Sequence, residues 1–183
     1  MHQAEKWFNE SLKDLSSAYY RHYKRKLKKD VLFTYKSVWY HRFGRFDRAI
    51  AIIDTLIQLK KDAYVDIYNL GVFRIVSGNT IGLNDIKRAC AIDTTGFVQA
   101  VYDGIVAIKS DSLLKAEKIL KQKILGLRKS GIAKGLLAGT LEKLGKDIEA
   151  KKSWFKCYGQ LPLGTDVESM RSFIDKFIET ISR

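Results

Sequence analysis

Helix-breaking residues recur along this sequence at an almost constant distance. Gly44, Gly78, Asp111 and Gly145 each follow one helical apolar pattern and precede another, and they are separated by 34, 33 and 34 residues. A constant period of this size is the signature of a supersecondary unit that is stacked on copies of itself. It constrains the fold strongly, because each unit can bury its apolar faces only against its neighbours.

Small residues recur at fixed distances from these breaks. Seven residues before them stand Ser37, Gly71, Gly104 and Ala138, and five residues after three of them stand Ala49, Ala116 and Ala150. Large residues follow each alanine four positions later, at Ile53, Leu120 and Trp154. This alternation predicts pairs of closely packed helices, in which a small residue faces a large one.

The second unit fits the same pattern if its turn is one residue shorter. Its small, large and small residues are then Gly82, Ile86 and Ala89, instead of a set that begins at Leu83 and continues at Lys87. One missing residue also explains why this unit spans 33 residues. We therefore predict that Gly82 faces the first helix of its unit.

The motifs within these units resemble the tetratricopeptide repeat. Leu70-Gly71 in a first helix, Ala150 and Trp154 in a second helix, and Pro162 at the end of a unit carry the resemblance. It implies an all-α, right-handed α-solenoid of four helix-turn-helix repeats with a capping helix at each end. The repeats cover residues 30–164 and divide into 30–63, 64–96, 97–130 and 131–164. Arg74 and Ala107 depart from the family, which usually has an aromatic residue at these positions.

Amphipathic helices are predicted on both sides of the repeats. An apolar stripe over residues 4–27 lies within a basic N-terminal segment, residues 1–29, and a second stripe over 166–182 lies within a C-terminal segment, residues 165–183. Thr165 and Glu168 have the spacing of a capping box at the start of the second helix. One apolar side on each helix fits the role of a cap on the end of a repeat stack.

The composition bounds the class of protein. With 33 Lys and Arg against 20 Asp and Glu, the formal net charge is +13, which favours nucleic acid, anionic membranes or acidic proteins as partners. Two cysteines without a C-x-x-C motif, no signal-peptide pattern and no apolar run long enough to span a bilayer lead us to expect a soluble, cytoplasmic protein.

The sequence carries no recognisable catalytic constellation. His2, His22 and His41 lack the paired spacing of metal ligands, and glycine-rich phosphate-binding loops are absent. Cys90 and Cys157 fall on or beside packing positions, where free cysteines are usually buried and inert. We therefore expect no enzymatic activity, no metal and no cofactor.

A partner-binding groove follows from the family resemblance. The first helices of tetratricopeptide repeats line the concave face, and the matching positions here are Thr34, Val38, His41, Arg42, Tyr68, Asn69, Val72, Ile75, Val101, Tyr102, Ile105 and Ile108. Such an apolar, tyrosine-bearing groove suits an amphipathic or extended segment of a partner protein, as in an adaptor or a chaperone-like scaffold. Self-occupancy by the helix at 4–27 or by a second copy of the chain is the alternative.

A basic cluster gives a second hypothesis. Residues 21–29 contain six basic residues and no acid: Arg21, Lys24, Arg25, Lys26, Lys28 and Lys29. Such a run, with tyrosines interleaved, is typical of a surface that binds nucleic acid, acidic lipid headgroups or an acidic partner. The other interpretation is a solvated helix face whose lysines favour the helix C-terminus.

Overall fold

A computed structural model describes residues 44–59, 64–124, 131–158 and 167–183, with scattered positions before residue 44. The four continuous ranges form eight α-helices: α1 Phe46–Leu59, α2 Tyr64–Val76, α3 Gly82–Cys90, α4 Phe97–Lys109, α5 Leu113–Ile124, α6 Gly131–Lys143, α7 Asp147–Tyr158 and α8 Val167–Ser182. The described part of the chain contains no strand. The prediction of an all-α fold is therefore confirmed.

The chain divides into two compact units, Met1–Lys60 and Lys61–Arg183. In the first unit, Ala49, Ile53 and Leu56 on α1 are fully buried, and so is Ser37 in the helical stretch before it. Of the predicted helix at 4–27, only Lys6, Asn9, Glu10 and Lys13 lie among the described residues; all four are helical and exposed.

The compact unit Lys61–Arg183 consists of three helix pairs followed by α8. Helices α2 and α3, α4 and α5, and α6 and α7 pack against each other, and each pair also packs against the next through α3 with α4 and α5 with α6. The first helices are α2, α4 and α6, and the second helices are α3, α5 and α7. This is the order expected for three successive helix-turn-helix repeats.

The four predicted breaks share one turn geometry. Gly44, Gly78, Asp111 and Gly145 all have positive φ angles, between 53° and 91°. Each donates its N–H to the carbonyl three residues back, and the next residue donates to the carbonyl five residues before itself; for Gly145 and Lys146 both distances are 2.9 Å. These two hydrogen bonds define the Schellman motif, which ends a helix in the left-handed conformation. The repeat is thus visible in the backbone as well as in the sequence.

Within each pair the small residues allow close helix contact. A Cβ added to Gly71 would lie 2.6 Å from the carbonyl oxygen of Gly82, and one added to Gly104 would lie 2.6 Å from Leu120 Cδ2. Because real Cβ atoms essentially never make contacts this short, a side chain at Gly71 would clash with the backbone of Gly82, and one at Gly104 would require the Leu120 side chain to move.

The structure confirms the packing positions predicted for the second helix of the second repeat. Gly82, Ile86 and Ala89 are buried, whereas Leu83 is half-buried and Lys87 is exposed. Gly82 also contacts the backbone of Gly71, as its predicted role requires. The small, large and small residues of this repeat therefore keep their packing positions although the repeat is one residue shorter.

Candidate functional site

Helix α8 buries a broad apolar face. Met170, Ile174, Phe177, Ile178 and Ile181 are all buried, and the exposed residues between them include Arg171, Ser172, Asp175 and Glu179. The buried positions follow the spacing of one helical face, with Thr180 buried at its edge. A helix with this pattern needs an extended apolar surface to pack against.

That surface is formed by three first helices. Helix α8 packs against α2, α4 and α6, which belong to the second, third and fourth repeats. A cap on the end of the stack would need contact with the last repeat alone. The C-terminal helix therefore goes beyond the predicted cap, since it extends across first helices from three repeats.

Glycines on α6 admit the side chains of α8. A Cβ on Gly135 would lie 2.6 Å from Ile174 Cγ1, and one on Gly139 would lie 3.1 Å from Ile178 Cδ1. Neither glycine has a positive φ, so their function is close packing and not turn formation. Ile174 and Ile178 thus occupy space that any larger residue on α6 would fill.

Two polar contacts fix the ends of α8. Near its start, Arg171 pairs with Glu142 and lies over the Trp154 ring, 5.4 Å from its centroid. The Trp154 indole also donates to Glu142, at 3.1 Å. Near its end, Lys109 Nζ donates to the Ile181 carbonyl oxygen at 2.7 Å. A lysine is favoured there, because the last carbonyls of a helix lack intrahelical partners and carry partial negative charge.

The same repeat positions recur on the three first helices. Gly135, Gly139 and Glu142 stand three before, one after and four after the small residue Ala138. The residues at the same three distances from Gly71 and from Gly104 all belong to the predicted groove. We call the combined set the first-helix face: Tyr68, Val72 and Ile75; Val101, Ile105 and Ile108; Gly135, Gly139 and Glu142.

The sequence prediction omitted the fourth repeat from this face. Gly135, Gly139 and Glu142 contact α8, but the predicted groove stopped at Ile108. The sequence could have indicated these three residues, because the same distances from the small residue of the first helix hold in all four repeats. Glycines carry no side chain, so the apolar pattern that indicates a groove does not include them.

The groove residues predicted on α2 and α4 lie mostly in the interior. Six are buried (Tyr68, Val72, Ile75, Val101, Ile105 and Ile108), while Asn69 and Tyr102 are half-buried. Tyr68 also packs edge-on against Phe97, with 5.9 Å between ring centroids. Helix α8 of the same chain, an occupant not considered from the sequence, packs against the helices that carry these residues. A role of these residues in binding a partner stays a prediction.

Only some of the groove residues predicted in the first repeat, residues 30–63, lie among the described residues. Thr34 and His41 are half-buried, whereas Val38 and Arg42 lie outside the described residues. Burial lowers the pKa of His41 to about 4, and its ring packs edge-on against Phe46 at 5.2 Å. His41 is therefore a neutral packing residue at neutral pH.

Comparison with solved structures identifies the architecture. The chain is similar to the crystal structure of a tetratricopeptide repeat protein from Parabacteroides merdae ATCC 43184, with a TM-score of 0.55 and 14% sequence identity. The similarity covers 96% of this chain and 79% of the other. The chain has a tetratricopeptide-repeat fold. No protein-family model matches its sequence, and neither does any curated protein.

One departure from the usual tetratricopeptide repeat has a structural explanation. Arg74 occupies a position that is usually aromatic, and its guanidinium pairs with Asp85 on α3 at 2.8 Å. Asp85 is buried, so the ion pair joins the two helices of the second repeat where an aromatic ring would otherwise pack. The other departure, Ala107, is buried and nothing in its surroundings explains it.

The remaining candidate sites of this tetratricopeptide-repeat fold are structural or lie outside the described residues. Cys157 donates to the Gly131 carbonyl at 3.0 Å, and burial raises its thiol pKa to about 11, so it is a packing residue. Cys90 is half-buried, and burial raises its pKa as well. Among the described residues no group of His, Cys, Asp or Glu could hold a metal ion. None of the described helices is long and apolar enough to cross a membrane.

The basic cluster at 21–29 lies outside the described residues. Its six members, Arg21, Lys24, Arg25, Lys26, Lys28 and Lys29, therefore stay a prediction, as does nucleic-acid binding through them.

Proposed function

We propose that the protein is a non-enzymatic, adaptor or chaperone-like interaction scaffold whose first-helix face accepts an amphipathic helix of a partner protein. The observation that supports the proposal is the position of α8, which packs against α2, α4 and α6 with its apolar side inward. A surface that holds one amphipathic helix has the shape and apolar character to hold another.

The partner helix competes with α8. Full burial of a large apolar side chain contributes about 1.5–3 kcal/mol, and α8 buries five of them. Because α8 is part of the same chain, its effective concentration at the face is on the order of millimolar. A partner therefore needs either a closely matched helix or a form of the chain in which α8 is weakened.

The contacts of α8 indicate what the partner helix carries. Its apolar residues follow the spacing of Ile174, Phe177, Ile178 and Ile181, and a basic residue one turn earlier faces Glu142, as Arg171 does. Branched side chains opposite Gly135 and Gly139 complete the fit. The net charge of +13 speeds encounter with a partner that is acidic elsewhere.

A labelled peptide of residues 165–183 tests this proposal, because its fit to the face is known. Fluorescence anisotropy measures its binding to the full chain carrying Ile174→Ala and to the full chain carrying Asp175→Ala. These residues are neighbours on α8, but Ile174 is buried and Asp175 is exposed. Truncation of a buried isoleucine costs about 2–5 kcal/mol, so the resident helix is weakened only in the first variant.

We expect the Ile174→Ala chain to bind the peptide at least ten-fold more tightly than the Asp175→Ala chain. Circular dichroism confirms that both chains keep their repeat helices. Equal binding to two folded variants contradicts the proposal. If the peptide binds as expected, the Ile174→Ala chain is the form with which to capture the natural partner.

A further inference from the structure

Helix α7 exposes a second apolar stripe on the side opposite its packed face. Ile148 is 73% exposed and Phe155 is 79% exposed, and they stand seven residues apart, on the same side of the helix. Ala150, Trp154 and Cys157 on the other side are buried in the fourth repeat. An exposed phenylalanine and isoleucine on one helix face are not needed for the repeat packing, so they call for another explanation.

Lysines surround this stripe. Lys151 and Lys152 lie between the two apolar residues along the helix, and Lys156 follows Phe155; all three are exposed. None of the ion pairs between described residues involves these three lysines. The acids of α7 are confined to its first turn, where Glu149 pairs with Lys121. The stripe is thus apolar at its centre and positively charged at its edges.

The preceding second helix repeats the arrangement. Leu114 on α5 is 68% exposed and stands three residues after Asp111, as Ile148 stands three residues after Gly145. Lys115 and Lys118 beside it are exposed. The buried acid of this helix, Glu117, accepts hydrogen bonds from Lys121 and Lys146 and is directed away from solvent. The basic and apolar pattern therefore extends over two consecutive repeats.

We propose that this second-helix face, formed by Leu114, Lys118, Ile148, Lys152, Phe155 and Lys156, docks on the surface of an anionic lipid bilayer. Leu, Ile and Phe side chains insert at the boundary between headgroups and acyl chains, and lysines extend to the negative headgroups. Nucleic acid is a poorer match, because it rewards planar groups that stack on bases, and two of the three apolar residues are aliphatic. Charge complementarity and the exposed apolar side chains thus select the same partner.

Vesicle co-sedimentation of the full chain tests this inference. The probes are vesicles of phosphatidylcholine alone and of phosphatidylcholine mixed with phosphatidylserine. We expect binding to the anionic vesicles only, and a loss of about ten-fold on Phe155→Ala, since the ring no longer inserts. Val106→Ala is the matched control, because Val106 is an exposed apolar residue on the first helix α4.

Two charge-reversal variants distinguish binding through this face from general attraction between a basic protein and an anionic membrane. Lys152→Glu should weaken vesicle binding several-fold more than Lys143→Glu, which changes the net charge equally at an exposed position on α6. Absence of binding to anionic vesicles, or binding that is insensitive to Phe155→Ala, overturns the proposal. Binding to single-stranded RNA that depends on Lys152, without vesicle binding, overturns it in favour of nucleic acid.

Discussion

Asp111 stands where the other three repeats have glycine. Its φ of 53° lies in the left-handed region, and its N–H makes the same bond to a carbonyl three residues back, at 3.0 Å to Ile108. Aspartate is one of the few residues other than glycine that enter this region readily, whereas a β-branched residue does not. The turn geometry is therefore conserved within the chain although the residue differs.

We predict that Asp111→Val lowers the free energy of unfolding by about 1–2 kcal/mol, the cost of a left-handed conformation for a residue with a branched Cβ. Asp111→Gly is the control, because it also removes the carboxylate but permits positive φ. It should stay within about 1 kcal/mol of the natural chain. Urea denaturation followed by circular dichroism measures both, and an equal loss in the two variants contradicts the role assigned to the backbone.

The free energy of unfolding should depend on pH through His41. Burial lowers its pKa from the ordinary value of about 6.5 to about 4, so the unfolded chain binds a proton at this side chain between these pH values and the folded chain does not. Stability from this residue is therefore lost as the pH falls from 6.5 towards 4, by at most about 1.4 kcal/mol per pH unit. His41→Gln should flatten the dependence in this window. An NMR titration in which the His41 ring titrates near 6.5 contradicts the prediction.

At the scale of single elements, Gly135 and Ile174 decide how closely α8 approaches α6. Gly135→Ala should cost about 1–3 kcal/mol, because the new methyl overlaps Ile174. Ile174→Ala alone leaves a cavity, but in the double variant the two changes partly compensate. We predict that the double variant loses less stability than the sum of the single variants, by about 1 kcal/mol. Additive losses in urea denaturation would show that this contact does not position α8.

The helices and turns could be predicted from sequence, whereas the position of α8 could not. Gly44, Gly78 and Gly145 each predict a turn at their own position, since the left-handed conformation is a local property of one residue. Packing of Gly82 against Gly71 followed from the repeat period. The apolar stripe of α8 was equally clear, but where it packs depends on side chains of three distant helices. Gly135 and Gly139 form part of that surface, but only their contacts with Ile174 and Ile178 in the structure show it.

At the scale of the whole molecule, α8 changes how the unit Lys61–Arg183 holds together. In a simple repeat stack each repeat contacts only its neighbours, so stability is a sum of local terms. Helix α8 instead contacts α2, α4 and α6 at once. Ion pairs add a further link between the third and fourth repeats, since Lys146 pairs with the buried Glu117 at 2.7 Å.

A chain that ends at residue 164 should therefore lose cooperativity as well as stability. Without α8, Val72, Ile105 and their neighbours on the first-helix face meet water, and the repeats are joined only in sequence order. We expect increased binding of the dye ANS and a smaller urea m-value, because the repeats no longer unfold together. The full chain with Phe177→Ala is the graded control: it should lose about 3–5 kcal/mol and keep its m-value. An unchanged m-value in the shortened chain would mean that α8 covers the first-helix face without coupling the repeats.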